Sequence, residues 1–537
     1  MSHDQRILRF AAAALLATGV IAWAGCTPRP KARPTTFAWV AGKPEPSFDP
    51  QAPPDPLRWA LGRLLNHGLV EEDSMLRIVP AAAETIQVSP DSLTYTFRLR
   101  PRLTFVDGTP CVSADFRRSL EAGLARADHG TQAWLLEAVQ GVERLRAGMR
   151  QRSAAGIETP DERTLVLRLT RPDSLLLRKL ALPGVSAPWR PAGADSGPGS
   201  AWTSAVGLGP YRVAREEAGR QLVLVRARGP RKPGASSAPD SIIVRFVVGA
   251  ARALALLRGG AADLVWPVPT GFSQFPLPAG CGEVLRPASP ARRLLLVMRP
   301  DRPPTSKHEA REALAHAINH EEIVQALGDS LPDPPWITGA PPFDFPALDP
   351  EEVRTALSRG DFGRSLHVMM SYDADGPAAE VASVLQGQWA GLGLYIDLRA
   401  LRGDKLDAEL LGGGSHLLLV EGQPLFDHFS AQLAALVMPA RGPGVGGFRT
   451  MWRSREFDLW LAPRPKPSLR PRGGADTMGT TPEVALSAPA LAQQILAADM
   501  VVLPLARLPW RWVERGGPLQ VGFHPHYGPQ CLPTGPR

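Results

Sequence analysis

The most specific part of the sequence comes early in the chain. Residues 89–100 read SPDSLTYTFRLR and residues 105–116 read FVDGTPCVSADF. Apolar and polar residues alternate over Thr94–Leu99, which predicts a half-buried β-strand. Val106–Thr109 predicts a turn, because Asp and Gly favour turn conformations. Ser113-Ala114-Asp115 then predicts the start of a helix.

The rest of the chain continues an alternation of strands and helices. One β-α-β unit is predicted by Ile242–Val248, Ala250–Arg258 and Ala262–Pro267, and such a unit implies parallel strands joined by a right-handed crossover. A second unit is predicted at Leu366–Met370, Ala378–Leu392 and Tyr395–Leu401. The pattern therefore predicts an α/β fold.

The composition is that of a globular chain. Of the 537 residues, 44% are hydrophobic and 21% are charged. The net charge is +8, but only 7 of the 60 basic residues are Lys, and the Arg residues are spread over the whole chain. Because a phosphate backbone is bound by a clustered basic surface, no nucleic-acid partner is predicted.

The N-terminus has the parts of an export signal. Arg6 and Arg9 precede an apolar run, Phe10–Ala24, that is too short to span a membrane. The run ends in Trp23-Ala24-Gly25-Cys26, which resembles the bacterial lipobox. Residues 1–25 are therefore predicted to be a lipoprotein signal peptide, Cys26 the lipidated residue and residues 26–36 an extended tether. The alternative is an ordinary secretory signal with an incidental cysteine.

Three cysteines follow Cys26, namely Cys111, Cys281 and Cys531. An odd number allows at most one disulfide and leaves one thiol over. Their scattered spacing excludes a disulfide scaffold and any C-x-x-C site.

Enzyme signatures are missing from the sequence. There is no G-x-S-x-G elbow, Walker loop or H-E-x-x-H, and no G-x-G-x-x-G that opens a helix. His524-Pro525-His526 with Cys531 resembles a soft-metal cluster, but Pro525 stiffens the pair and a fourth ligand is not identified. A solvated C-terminal loop is the favoured interpretation. Neither a metal, a cofactor nor an enzymatic activity is predicted.

A series of motifs, in order along residues 37–530, resembles one family. The motifs are Phe48-Asp49-Pro50, Asn66-His67-Gly68-Leu69-Val70, residues 89–116, Gly207-Leu208-Gly209-Pro210-Tyr211, residues 256–264, Ala310–Ala313 with Ala317–His320, Glu456-Phe457-Asp458-Leu459 and Val502-Leu503-Pro504-Leu505. The family is that of the extracellular solute-binding proteins for oligopeptides, dipeptides and nickel, which are receptors of ABC importers.

The resemblance implies a two-lobed fold, the type II periplasmic-binding-protein fold, with an extra domain in the N-terminal half. Lobe I is expected to comprise residues 37–66, 192–270 and 488–537, the extra domain residues 67–191, and lobe II residues 271–487. The hinge is expected near residues 270–271 and 487–488. A ligand is expected between the lobes when they close.

The resemblance also implies candidate ligand-binding residues, which are Pro54, Asp55, Pro56, Leu419, Val420, Glu421, Gly422 and Gln423. In peptide-binding members a strand of lobe II ends in an Asp that pairs with the free amine of the ligand. Gly422 stands at that position here, Glu421 is one residue away, and Leu419 replaces a Trp that commonly lines the cleft. On lobe I, Asp55 is a candidate for binding a cation or, alternatively, a helix cap.

The missing Asp predicts weak or no binding of ordinary di- to pentapeptides, unless Asp55 or Glu421 substitutes for it. An unpaired buried ammonium costs about 3–5 kcal/mol. The predicted function is a monomeric, lipid-anchored binding protein, outside the cytoplasm, that delivers a peptide or other small solute to an ABC permease. A paralogue that acts as a ligand sensor or envelope interaction protein is the alternative, and an operon with permease and ATPase genes would argue against it.

Overall fold

The computed structural model describes residues 35–42, 56–125, 135–146, 154–191, 202–227, 238–269, 271–288, 292–328, 344–363, 365–374, 376–402, 404–423, 488–516 and 521–530. From Thr36 onward these residues belong to one compact unit. No helix within the described ranges is long and apolar enough to cross a membrane.

Sheet I has seven strands. In spatial order they are Tyr211–Glu217, Gln221–Arg226, Ser241–Phe246, Thr36–Ala41, Leu264–Val265, Trp510–Arg515 and Cys281–Arg286. Thr36–Ala41 is parallel to both of its neighbours. The first predicted β-α-β unit is therefore parallel, but its two strands flank Thr36–Ala41 and do not pair with each other.

Sheet II has five strands. In spatial order they are Leu394–Leu401, Leu366–Asp373, Leu417–Gly422, Arg292–Met298 and Val502–Leu508. Leu366–Asp373 pairs in parallel with Leu394–Leu401, which confirms the second predicted unit. Arg292–Met298 lies antiparallel to both of its neighbours. From Leu294 to Met298 no residue is more than 2% exposed, because the strand is covered on both faces.

Sheet III has four antiparallel strands, Ala83–Val88, Thr94–Leu99, Thr164–Arg168 and Ile157–Asp161. All four lie inside the predicted extra domain.

The predicted strand at Thr94–Leu99 is confirmed, and Phe97 is completely buried. At the predicted turn Asp107 Oδ1 accepts a hydrogen bond from the Thr109 N–H (2.9 Å). The predicted helix begins at Ser113, where Asp115 Oδ2 accepts from the N–H of the preceding residue (2.9 Å).

Eleven α-helices are described. They are Pro56–Leu65, Ser113–Leu124, Val142–Arg146, Leu176–Ala181, Ala250–Arg258, His308–His316, His320–Leu327, Pro350–Arg359, Ala378–Ala390, Asp404–Gly412 and Ala488–Asp499. Three small two-stranded sheets and two short 3-10 helices are also described. The sheets pair Val70–Glu72 with Ile78–Pro80, Arg190–Pro191 with Ala205–Val206, and Gly522–His524 with Gly528–Gln530, and the 3-10 helices are Trp202–Ser204 and Phe272–Gln274.

The strand pairing corrects the predicted crossings between the lobes. Cys281–Arg286, expected in lobe II, is an edge strand of sheet I, and Val502–Leu508, expected in lobe I, is an edge strand of sheet II. The chain therefore leaves sheet I between Arg286 and Arg292 and returns to it between Leu508 and Trp510. A strand's partner sheet is set by pairing across hundreds of residues, so these two exchanges have no local signal in the sequence.

Candidate functional site

The strand order of sheets I and II places a crevice at one end of each sheet, outside the carboxyl ends of its parallel strands. In sheet II the chain passes from Leu366–Asp373 to one neighbour and then to the other, Leu417–Gly422. A change of direction of this kind leaves a crevice outside the carboxyl ends of the parallel strands. In sheet I the same change occurs around Thr36–Ala41, whose carboxyl end lies beside Val265.

Both chain crossings lie at these carboxyl ends. In sheet II, Arg293 at the start of its strand is opposite Gly422 at the end of the neighbouring one. In sheet I, Trp510 is opposite Arg286, and its strand runs antiparallel to Leu264–Val265. The crevice edges of the two sheets therefore face the same junction, which makes this junction the candidate ligand site.

An arginine from sheet II covers an aromatic cluster of sheet I at the junction. The Arg292 guanidinium lies 4.4 Å from the centre of the Trp510 ring. Trp510 contacts Trp266 edge-on (5.8 Å), and Trp266 stacks with Trp39 (5.8 Å). Arg292 Nη1 also donates to the Pro509 carbonyl (3.0 Å). These contacts hold the starting end of the sheet II strand against sheet I.

Glu421, the neighbour of Gly422, is bound by the same arginine. Arg292 Nη2 forms an ion pair with the Glu421 carboxylate, and the two side chains are 16% and 28% exposed. A methyl group added to Gly376 would lie 2.7 Å from Glu421 Oε1, so the carboxylate is also confined on that side. A ligand amine would have to displace Arg292 to reach Glu421. Substitution by Glu421 for the missing Asp stays a prediction, and this ion pair opposes it.

The other predicted residues of the strand have different surroundings. Leu419 is completely buried in the core of sheet II, and Val420 is 3% exposed. Gly422 is buried at the crevice edge. Gln423 is half-buried, and its Nε2 donates to the carbonyl of His526 (3.2 Å). Gln423 therefore links sheet II to the hairpin Gly522–Gln530. Ligand contact by any of these residues stays a prediction.

Pro54, Asp55 and the lipidation candidate Cys26 lie outside the described residues. Pro56 is half-buried at the first position of the helix Pro56–Leu65. Of the remaining cysteines, Cys111 and Cys281 are described, and neither is in a disulfide. Cys531 also lies outside the described residues.

The predicted solvated loop at His524-Pro525-His526 is wrong. His524 is 1% and His526 is 2% exposed. His526 Nδ1 lies 2.9 Å from Glu72 Oε2, and His524 Nε2 donates to the Glu72 carbonyl (3.1 Å). His526 stacks on Tyr527 (4.4 Å), which lies under the Arg63 guanidinium. The hairpin is buried by these contacts, and the sequence did not indicate them because Glu72 is more than 450 residues away.

Burial and neighbouring charge shift the acid–base equilibria of this cluster. Burial lowers the pKa of His524 to about 3, with help from the charges of Arg63 and His526. For Glu72, burial alone would raise the pKa, but the hydrogen bond and charge of His526 lower it below its ordinary value. Burial also raises the pKa of Tyr527 well above its usual range. Among the described residues no group of three or more His, Cys, Asp or Glu side chains is arranged to hold a metal ion.

Sequence analysis missed Arg292, Arg293, Arg507 and Trp510 at the junction and Glu72 beside the C-terminal hairpin. Arg292 is the first residue of its strand and Arg507 is the last but one of the neighbouring strand. The only sequence signal for them was a charge near the end of an apolar run. No sequence feature marked Trp510 as a junction residue, apart from its large aromatic side chain. Glu72 follows a recognised motif, but its histidine partners are more than 450 residues away.

Comparison with known proteins assigns the family. The sequence model for bacterial extracellular solute-binding proteins, family 5 (middle region), matches residues 77–437. The glutathione-binding protein GsiB of Escherichia coli K12 is 26% identical over 377 residues, which is 68% of this chain and 70% of GsiB. This chain therefore belongs to the family 5 extracellular solute-binding proteins, a family of binding proteins.

Solved structures share the fold. The murein tripeptide-binding protein MppA of E. coli has a TM-score of 0.74 at 17% identity, covering 94% of this chain and 97% of MppA. Haemophilus influenzae OppA, solved in complex with the peptide RPPGFSPFR, has a TM-score of 0.71 at 17% identity, covering 90% and 95%. The expected type II periplasmic-binding-protein fold is thus confirmed.

Proposed function

We propose that this protein captures a peptide or another small solute between its two lobes and delivers it to an ABC permease. The observation that carries this proposal is the junction where the crevice edges of sheets I and II meet beside both chain crossings. The names of its relatives, a glutathione-binding protein and peptide-binding proteins, support a peptide-like ligand.

The proposal includes the location and the domain plan. Cys26 anchors a monomer to the outer face of the membrane through its lipid, and residues 26–36 are the tether. Lobe I, the extra domain 67–191 and lobe II keep the predicted order, with the two strand exchanges described above. The two crossings, Arg286 to Arg292 and Leu508 to Trp510, act as the hinge. Both are short, so lobe rotation concentrates in a few backbone angles.

Closure gives a direct test. The hydrogen bond from Gln423 to the His526 carbonyl joins sheet II to the C-terminal hairpin, and we expect it to form as the lobes close. A panel of glutathione and tripeptides is first screened by native mass spectrometry. Small-angle scattering with a bound member at saturation should then show a smaller radius of gyration, because a ligand that contacts both lobes favours the closed state.

Gln423→Ala should weaken the affinity for that panel member about two- to tenfold, the equivalent of one net hydrogen bond. The matched control is Gln386→Ala, because Gln386 Nε2 donates to the Ile396 carbonyl (3.0 Å) and so joins the helix Ala378–Ala390 to sheet II, without a contact to the C-terminal hairpin. The control should bind like the wild type. Micromolar binding without compaction, or equal effects of the two substitutions, would contradict closure at this junction.

A further inference from the structure

The C-terminal hairpin Gly522–Gln530 is joined to the extra domain by the carboxylate of Glu72. Its Oε2 lies 2.9 Å from His526 Nδ1, and its Oε1 accepts from Nη1 of Arg178 in the extra domain (3.3 Å). The side chain of Glu72 is 7% exposed and that of His526 is 2% exposed. The two oxygens of one buried carboxylate therefore bridge the extra domain and the hairpin.

The same hairpin holds Trp510 at the second chain crossing. Trp510 Nε1 donates to the Pro525 carbonyl (2.7 Å). The backbone at Gly528 packs closely on the Trp510 ring, since a methyl group at Gly528 would lie 2.9 Å from a ring carbon. Arg292 of sheet II stacks on the same ring (4.4 Å). The position of Trp510 is therefore set jointly by the hairpin and by the first residue of the sheet II strand.

Contacts within the turn of the hairpin transmit the position of Glu72 to Pro525. His524 Nδ1 accepts from the N–H of His526 (3.1 Å), and His524 Nε2 donates to the Glu72 carbonyl (3.1 Å). Glu72 thus contacts both histidines, one with its carboxylate and one with its main-chain carbonyl, and Pro525 lies between them in the sequence. A shift of Glu72 cannot leave the Pro525 carbonyl in place unless these contacts break.

We propose that Glu72 is a positioning residue for the hinge, and that it holds Trp510 in place at the second crossing through the hairpin. The extra domain thereby takes part in lobe rotation, because a contiguous chain of hydrogen bonds connects it to the crossing. Loss of the carboxylate frees the turn, and Trp510 with it, whereas the large sheets keep their pairing. This inference rests on the proposed hinge and names a residue that regulates it.

The indole N–H of Trp510 reports on this link, because its hydrogen bond to Pro525 breaks when the turn moves away. The test is NMR of ¹⁵N-labelled protein without ligand, which contains 13 tryptophans, and Trp510→Phe identifies the Trp510 signal by its loss. Glu72→Ala should speed the hydrogen exchange of this N–H about ten- to a hundredfold, the range of a charge-assisted hydrogen bond. Glu72→Gln should speed it only about three- to tenfold, because a neutral amide still accepts from His526 with about half the strength.

Asp173→Asn is the matched control. Asp173 is another acid of the extra domain with a weakly exposed side chain (12%), but its ion pair is with Lys179 (2.6 Å). This variant should change the exchange of the Trp510 N–H less than twofold. Trp389, which is buried in the core of sheet II, is the internal reference, and its signal should be the same in all variants.

Two results would overturn the inference. One is a Trp510 exchange rate within twofold of the wild type in both Glu72 variants. The other is an equal acceleration in Asp173→Asn or at Trp389, which would indicate a general loss of stability. If Glu72→Ala does not fold, the milder Glu72→Gln decides by the same criteria. Since no ligand is added, failure here leaves the proposed capture of a solute intact, and failure to bind any panel member leaves this result unaffected.

Discussion

The buried His524 makes the stability of the protein depend on pH. Its Nδ1 accepts from the N–H of His526 (3.1 Å) and its Nε2 donates to the Glu72 carbonyl, so both ring nitrogens are satisfied in the neutral form. The pKa of His524 is lowered from 6.5 to about 3 by burial. The folded state therefore keeps the ring neutral between pH 3 and 6.5, while the unfolded chain binds a proton.

The sign and size of the effect follow from this difference. Stability from neutral His524 is fully present above pH 6.5 and is lost as the pH falls toward 3. Between pH 7 and pH 5 the loss in free energy of unfolding is about 2 kcal/mol for this group. The carboxyl of Glu72 adds at most about 0.2 kcal/mol to this loss, because its pKa lies below the ordinary 4.5 and the unfolded carboxyl is only partly protonated at pH 5.

The assay is guanidinium unfolding at pH 7 and pH 5, followed by tryptophan fluorescence. Between the two pH values the free energy of unfolding of His524→Gln should fall by about 2 kcal/mol less than that of the wild type. At pH 7 the variant should be less stable than the wild type by about 1–3 kcal/mol, because buried partners lose their hydrogen bonds. His367→Gln is the control, since the side chain of His367 is exposed on the strand Leu366–Asp373 and stacks on Tyr395. Parallel pH dependence in the wild type and His524→Gln would refute the reasoning.

Two further predictions concern other parts of the chain. Gly42→Ala should destabilise the protein by about 1–3 kcal/mol in the same unfolding assay, because the added methyl would lie 2.3 Å from the Pro267 carbonyl oxygen. The control is Gly62→Ala, because Gly62 has open space around it. Destabilisation by Gly62→Ala would contradict the explanation. Cys26→Ser should release the protein from membranes into a soluble exported fraction on cell fractionation, and unchanged membrane association would contradict lipidation at that residue.

Local patterns predicted the elements that depend on neighbouring residues. The alternation at Thr94–Leu99, the turn after it and the helix start at Ser113 are all present, because each is stabilised within a few residues. The strand Arg292–Met298 was missed. It is covered on both faces and therefore shows a continuous apolar run and no alternation, a pattern that short buried strands share with buried helices.

Contacts between distant residues could not be predicted. Arg293 and Arg507 are paired by the register of two strands that are more than 200 positions apart. His526 and Glu72 are 454 positions apart, and a polar segment near the C-terminus reads as solvated until its partner is known. The resemblance singled out the end of the strand Leu417–Gly422 as a candidate site, but the charges around that strand end were not predicted.

The motifs that identify the family hold the fold together away from the junction. Asn66 Oδ1 accepts from the N–H of Leu208 (2.8 Å), and Asn66 Nδ2 donates to the Pro188 carbonyl (3.0 Å). A methyl group on Gly209 would lie 2.2 Å from the backbone of Leu65, so this glycine is required for the close approach of the two motifs. Because these residues fix how segments pack, they are compatible with many ligands. Gly422, at the crevice edge of sheet II, is not part of these packing contacts.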